Sequence, residues 1–249
     1  MPADTVGPSG RSLNRAANRL IGGRRVGRDV HLEDFDRLAG MLASMSRATT
    51  RLIDTANTAL LGPDADAGQR VLTMQASLVA DTHQFDAFVP EVLARRQPVA
   101  SDMRLVLAGI RINADIERMA ALGAHIAKIA LSRFPQPAVP EPALAIIAGM
   151  AAAASNLSNK SATTLATRNP IDAMQVAIDD DEPDALQVQL YAMLAEGWGH
   201  GVQAAIDLAM LGRFYERFAD HAVSVAQQVV YIVRGNVAST QFWGTPRPR

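Results

Sequence analysis

Two carboxylates one helical turn apart stand out near the end of the chain. Glu216 and Asp220 are four residues apart, so on an α-helix their side chains lie one above the other. Like charges at this spacing repel on a plain helix, whereas a bound cation would turn the repulsion into ligation. Arg213 precedes the pair and His221 follows it. The spacing predicts either a metal site or a solvated acidic face that pairs with neighbouring arginines.

A second acidic pair precedes the first. Asp180 and Asp184 have the same four-residue spacing and belong to a run of acidic residues that spans 179–184. If the two segments form antiparallel neighbouring helices, four carboxylates meet across the groove. Carboxylate oxygens are suited to hard cations such as Mg²⁺, Mn²⁺ or iron. Spacing alone leaves the solvated acidic face open as the other interpretation.

Several kinds of chemistry are excluded by what the sequence lacks. The chain has no cysteine, which excludes disulfides, thiolate metal sites and thiol nucleophiles. Its five histidines show neither the spacing of a nucleophilic triad nor that of a zinc protease helix. No glycine-rich phosphate loop lies between a strand and a helix. We therefore expect a protein that is not an enzyme and that acts by binding partners.

The elements that position these residues are predicted to be helices. Hydrophobic residues make up 49% of the chain and aromatic residues 5%, a balance typical of packed helices. Apolar residues recur at steps of three and four, which predicts an all-α fold. Proline and glycine punctuate the pattern, with Pro90 and Pro183 expected to disturb the helices that contain them. The predicted helices are 32–61, 64–95, 98–133, 142–167, 171–196 and 200–234.

The six predicted helices fall into two related halves. Ile-Glu-Arg-Met at 116–119 aligns with Tyr-Glu-Arg-Phe at 215–218, an offset of 99 residues, and the flanking apolar stripe keeps its register. Four prolines at 135–142 form a semi-rigid linker between the halves. This predicts a three-helix bundle at 32–134, the linker, a second three-helix bundle at 143–235 and a tail at 236–249.

The first 31 residues differ from the rest in charge. Six arginines and one aspartate lie in residues 1–28, whereas the whole chain has a net charge of −1. We expect a basic, disordered extension, with a short basic helix on an anionic surface as the alternative. Because the body is acidic, nucleic-acid binding is disfavoured. No apolar run reaches the length of a membrane span, so a soluble protein is expected.

Two motifs resemble the signatures of a known family. Asp115-Ile-Glu-Arg-Met, with Arg-Gln-Pro-Val-Ala-Ser-Asp-Met-Arg at 96–104 upstream, resembles the first signature of the PhoU family. Gly-Arg-Phe-Tyr-Glu-Arg-Phe-Ala-Asp-His-Ala at 212–222 resembles the second. The likeness covers roughly residues 32–235. It implies two tandem three-helix bundles, in agreement with the organisation read from the prolines.

The resemblance also implies a function. Proteins similar to this one are cytoplasmic regulators, often homodimers, that damp the phosphate-starvation response. They contact the ATPase subunit of the phosphate ABC transporter and a membrane sensor histidine kinase. Membrane association is then expected only through these partners, and no nucleic-acid partner is expected. The alternative function is a carboxylate metal-binding helical protein that serves another regulatory or metal-handling role.

Some members of the family bind iron or other metals through Glu/Asp-x-x-x-Asp repeats. By position, Glu216 with Asp220 and Asp180 with Asp184 match these repeats, so the resemblance implies a divalent metal or iron site in the second bundle. No other cofactor is expected. Asp115 and Glu117 are weaker candidates in the first bundle, because Ala121 stands where the usual repeat has aspartate.

Overall fold

The protein is all-helical in the computed structural model, which describes residues 10–95, 98–178 and 181–235 and omits the side chains of 10–32, 177 and 181. Every regular element in this part of the chain is an α-helix, which confirms the predicted fold class. The helices are α1 (Gly10–Leu61), α2 (Ala65–Arg95), α3 (Ala100–Arg133), α4 (Glu141–Thr167), α5 (Pro170–Ile178), α6 (Asp181–Ala195) and α7 (Val202–Arg234).

Most helix ends follow the glycine and proline punctuation. Helix α1 ends at Leu61, directly before Gly62-Pro63. Helix α7 ends at Arg234, because Gly235 adopts a left-handed φ of 76° and donates its N–H to the Tyr231 carbonyl. Helix α4 ends at Thr167, where Arg168 takes the left-handed cap conformation ahead of Asn169-Pro170. These ends confirm the predicted ones.

Prolines inside the predicted helices behave in three ways. Helix α2 continues through Pro90 to Arg95, so this proline does not end it. Helix α3 begins after Pro98, at Ala100, because the Asp102 carboxylate accepts the Val99 N–H and fixes the first turn there. The structure describes the predicted helix 171–196 as α5 and α6, on either side of residues 179–180, and Pro183 is the third residue of α6.

The basic N-terminal segment differs from the expected disordered extension. From Gly10 onward it is continuous with α1, so the first helix begins well before residue 32. Leu13, Ala17 and Leu20 have the spacing of one helix face, and this pattern favours continuation of the helix. Residues 1–9 lie outside the described part, as does the tail 236–249.

The two halves pack through their long helices. Helices α1, α2 and α3 contact one another, and α4, α5 and α6 surround α7. Between the halves, α3 packs on α7 and α1 packs on α4. Arg133 at the end of α3 bonds Asp207 near the start of α7 at 2.6 Å, and Arg104 near the start of α3 donates to the Ile232 carbonyl. Helices α3 and α7 are therefore antiparallel.

A single hydrophobic core runs through both halves. Its largest fully buried side chains come from both, among them Phe85 and Ile116 in the first and Phe218 in the second. A Cβ atom at Gly123 would overlap the Leu52 side chain, so α1 and α3 approach closely at this glycine. Within the described residues, no helix is long and apolar enough to cross a membrane.

Candidate functional site

The two members of the Glu216–Asp220 pair on α7 are not equally exposed to solvent. Asp220 is exposed, whereas only 14% of the Glu216 side chain is accessible. Arg213, one turn earlier, donates to both Glu216 oxygens, Oε1 at 3.0 Å and Oε2 at 2.9 Å. The arginine therefore partly neutralises one carboxylate and leaves the other facing solvent.

The electrostatics connect this pair to α6. Burial raises the pKa of Glu216, and the Asp220 and Asp184 carboxylates raise it further, while Arg213 and Arg217 oppose them. Partial burial of the carboxyl group also raises the pKa of Asp220, and the charge of Asp184 raises it further, while His221 and the two arginines oppose this shift. Asp184 on α6 thus interacts with both acids of α7, and three of the four predicted ligands share one acidic face.

The predicted metal set stays a prediction. Asp180, its fourth member, lies outside the described residues. Among the residues that the structure describes, no three Asp, Glu or His side chains are grouped closely enough to hold a metal ion. The chemistry of the donors fits a hard cation, because mutually repelling carboxylates with raised pKa values gain from a positive charge. Glu216, Asp220 and Asp184 are the members of the predicted set that the structure describes.

The weaker candidates of the first half are not brought together. Glu117 is exposed to solvent, but Asp115 is buried. The Asp115 carboxylate faces α7, where Oδ1 lies 3.0 Å from His221 Nδ1 and Oδ2 accepts a 2.7 Å hydrogen bond from Ser224 Oγ. His221 therefore faces α3 as well as neighbouring Asp220. The sequence placed it only beside the acids, because a contact between distant helices leaves no local signal.

The Asp115 contact has a structural counterpart elsewhere along α3 and α7. His125 on α3 stacks on Phe214 of α7, with ring centroids 5.2 Å apart. At the offset of 99 residues, Asp115 aligns with Phe214 and His125 aligns with Ser224. The second contact therefore repeats the first with α3 and α7 exchanged, as a pseudo-twofold axis between the two helices requires. One contact is polar and the other is aromatic.

Tyr215 is a structural residue that the sequence interpretation missed. Its side chain is fully buried, and its hydroxyl donates to Asn57 Oδ1 at 2.7 Å. Burial raises the pKa of Tyr215, so the hydroxyl remains a donor. Asn57 in turn donates to the Ala151 carbonyl and to Ser155 Oγ. One amide on α1 thus connects α4 and α7.

The first half uses its acidic residues differently. Asp86 on α2 accepts a 2.9 Å hydrogen bond from Asn113 of α3, which also donates to the Thr82 carbonyl. The position equivalent to Asn113 in α7 is Gly212, where an added Cβ would lie 2.8 Å from the Leu190 side chain. The contact between the second and third helices is therefore polar in the first half and a close apolar approach in the second.

Comparison with known proteins agrees with this architecture. The family described as "PhoU domain" matches the chain twice, at residues 42–130 and 147–229. The two matches lie one in each half, which confirms that the halves are related by duplication.

Relatives match over most of the chain. "Phosphate-specific transport system accessory protein PhoU homolog 1" of Mycobacterium tuberculosis is 36% identical over 209 residues, which cover 84% of this chain and 95% of that protein. "PhoU homolog 2" of the same species is 35% identical, with 84% and 98% covered. A homolog from Deinococcus radiodurans is 29% identical, with 78% and 91% covered.

Solved structures share the fold. A crystal structure of PhoU from Pseudomonas aeruginosa superposes with a TM-score of 0.73 at 22% identity, covering 84% of this chain and 99% of that one. The phosphate transport system regulatory protein PhoU from Streptococcus pneumoniae gives 0.72 at 18% identity, with the same coverage.

Proposed function

Because this chain belongs to the PhoU family, we propose that it is an accessory protein of a phosphate-specific transport system and restrains the phosphate-starvation response. The proposed partners are the ATPase subunit of the phosphate ABC transporter and a membrane sensor histidine kinase, met in the cytoplasm. The protein would act on them by binding. The observation that carries the proposal is the match of 84% of the chain to relatives named as such accessory proteins.

The geometry supports action by binding. Helices α3 and α7 lie side by side, and each carries a row of exposed side chains along its length. Arg118 and Arg217, which align at the offset of 99 residues, are both exposed on these helices. Broad surfaces with arginine and apolar side chains are suited to protein contacts.

The proposal is tested by deletion and by capture of partners. Deletion should raise the expression of starvation genes in high phosphate, and the wild-type chain should restore repression. A variant with Arg118→Glu and Arg217→Glu should capture less transporter ATPase or sensor kinase, whereas Arg51→Glu, an exposed change on α1, should not. Unchanged expression in high phosphate after deletion would contradict the proposal.

A second candidate function is metal binding at the acidic face, favoured by the one-turn spacing of Glu216 and Asp220 and by the charge of Asp184, which acts on both carboxyl groups. Metal analysis should find a divalent ion or iron in the wild type and none in a variant with Glu216→Ala and Asp220→Ala. Glu117→Ala, an exposed change at the equivalent glutamate of α3, is the matched control. Equal metal content in all three proteins, or none in any, would refute this site.

The two functions are separable. A protein diverted to metal handling predicts bound metal together with an unchanged phosphate response after deletion. An accessory protein predicts a changed response whether or not the double variant loses metal.

We also propose that the chain forms a homodimer. Sedimentation at micromolar concentration should then give about twice the chain mass of 26.6 kDa, and a value near that mass would contradict it.

A further inference from the structure

Two exposed apolar stripes lie at equivalent positions in the two halves. The α3 stripe consists of Val99, Met103, Leu107 and Ile110, which are 61%, 38%, 44% and 44% exposed. The α7 stripe consists of Val202, Ile206 and Met210, which are 77%, 51% and 44% exposed. Met103 and Leu107 align with Val202 and Ile206 at the offset of 99 residues. Apolar side chains one turn apart on the solvent side of a helix indicate a surface that another segment covers.

The chain leaves its last helix beside one of these stripes. An ideal Cβ at Gly235, the cap of α7, would lie 3.5 Å from the Arg104 side chain. Arg104 also donates to the Ile232 carbonyl, which fixes the end of α7 against the first turns of α3. Met103 and Leu107 belong to those turns. Gly235, the residue from which the tail 236–249 continues, therefore lies beside the first turns of α3.

The tail contains the apolar side chains that such a stripe fits. Phe242 and Trp243 stand together in an otherwise small and polar segment, and Trp243 is one of two tryptophans in the chain. Two aromatic rings bury about 150–250 Å² each, an amount suited to a stripe of four side chains. A stable interface between two copies needs roughly 800 Å² and about 20–30 residues from each partner, whereas the stripe consists of four side chains. A short aromatic segment thus fits the stripe better than a second copy does.

The reach of the tail distinguishes the two stripes. Seven residues separate Gly235 from Trp243, and an extended chain of this length spans up to about 25 Å. The stretch from Arg104 to Ile110 rises only about 9 Å along α3. Val202, by contrast, lies at the other end of the 33-residue helix α7, about 50 Å from the tail. Only the α3 stripe is within reach.

We propose that Phe242 and Trp243 fold back onto the α3 stripe of the same chain and cover it, while the equivalent α7 stripe stays open. The two halves then present different surfaces although both retain the apolar positions. The proposal does not depend on the proposed function.

The first test uses the fluorescence of Trp243. In a Trp198→Phe background it is the only tryptophan, and its emission should be blue-shifted and several-fold less quenched by acrylamide than that of a peptide of residues 236–249. Leu107→Asp should restore the peptide values, whereas Ile206→Asp should not. Emission equal to that of the peptide in the parent protein would overturn the proposal. So would a blue shift that disappears on dilution, because it would place the tail on a second copy.

The second test needs no tryptophan substitution. Because the chain has no cysteine, Leu107→Cys and Ile206→Cys each introduce a single thiol at equivalent positions. Removal of residues 236–249 should raise the rate of thiol labelling at position 107 several-fold and leave the rate at 206 unchanged. Equal rates at position 107 with and without the tail would refute the docking.

Discussion

Helices α3 and α7 occupy equivalent places in the two halves but interact with their surroundings through different chemistry. Helix α3 carries a buried aspartate, Asp115, where α7 carries Phe214, and a buried Ile116 where α7 carries Tyr215. It has Ala121 where α7 has Asp220. The positions that pack the core keep their apolar character in both helices, whereas those at the interfaces and on the acidic face have diverged. Duplication thus preserved the core and left the surfaces free to specialise.

The largest expected effect tests whether the two halves are independent folding units. Phe218→Ala removes a fully buried ring from α7 and should lower the free energy of unfolding by about 3–5 kcal/mol. Because α3 packs on α7 and α1 on α4, both halves should unfold in one transition. Hydrogen exchange measured in α2 and in α4 checks this. Protection lost in α4 while α2 keeps its own would show separate units.

The close approach at Gly123 sharpens the comparison of the cores. Gly123→Ala should cost about 1–3 kcal/mol, because the added methyl meets the buried Leu52 side chain. The equivalent residue of α7 is already alanine, Ala222, fully buried. Gly40→Ala in α1, where nothing lies within 4 Å, should instead stabilise the protein. Urea denaturation of both variants tests the pair, and equal effects would contradict the packing argument.

The polar contact between the halves should have a smaller effect. Asp115→Asn replaces one carboxylate oxygen with an NH₂ group, so only one of the two positions that face His221 Nδ1 and Ser224 Oγ keeps an acceptor oxygen, and the change should cost about 0.5–1.5 kcal/mol. A double-mutant cycle with Ser224→Ala measures the coupling. A cycle between Asp115→Asn and Ser132→Ala, an exposed residue further along α3, should show none. No coupling to Ser224 would mean that the contact contributes nothing to stability.

The acidic face should have the smallest effect, one that depends on pH. Because the folded-state pKa of Asp220 is raised above the ordinary 3.8, the folded protein binds more protons than the unfolded chain between the two values. Stability from this group therefore increases as pH falls through the raised pKa. In chelator-treated buffer at neutral pH, Asp220→Asn should stabilise by about a few tenths of a kcal/mol, a gain that shrinks on acidification.

The matched change in the first half is Ala121→Asp, which recreates the missing carboxylate one turn after Glu117. This substitution should destabilise the protein by a similar amount at neutral pH, because it adds the like-charge repulsion that Asp220→Asn removes. Thermal unfolding at several pH values measures both variants. If Asp220→Asn gained most at low pH, the assigned direction of the pKa shift would be wrong.

Much of the fold was predictable because its signals are local. Gly62-Pro63 and Gly235 end helices through backbone conformation, which their own residue types determine. Helix starts were less accurate, since the side chain of Asp102 and not Pro98 fixes the start of α3. The continuation of α1 back to Gly10 was also not predicted, because a basic segment that contains glycines is as typical of a disordered extension as of a helix.

The site was predictable only within one helix. The four-residue spacing of Glu216 and Asp220 is written in the sequence, but the influence of Asp184 on both depends on how α6 packs on α7. Tyr215 is fully buried although the hydroxyl of a tyrosine is polar, and its acceptor Asn57 lies on a distant helix that no local pattern indicates. Phe214, the neighbouring aromatic residue, is only partly buried and stacks on His125.

The amide of Asn57 has a consequence for how the chain is made. It lies in the first helix, but its partners Ala151, Ser155 and Tyr215 follow 94, 98 and 158 residues later. On the ribosome, the first bundle is synthesised long before these partners emerge, so the Asn57 amide forms hydrogen bonds with water until then. Contacts of such long sequence separation slow folding. Locking of the two halves is therefore a late, post-synthetic event, and a nascent chain stopped before α7 would expose to chaperones the side of α3 on which α7 packs.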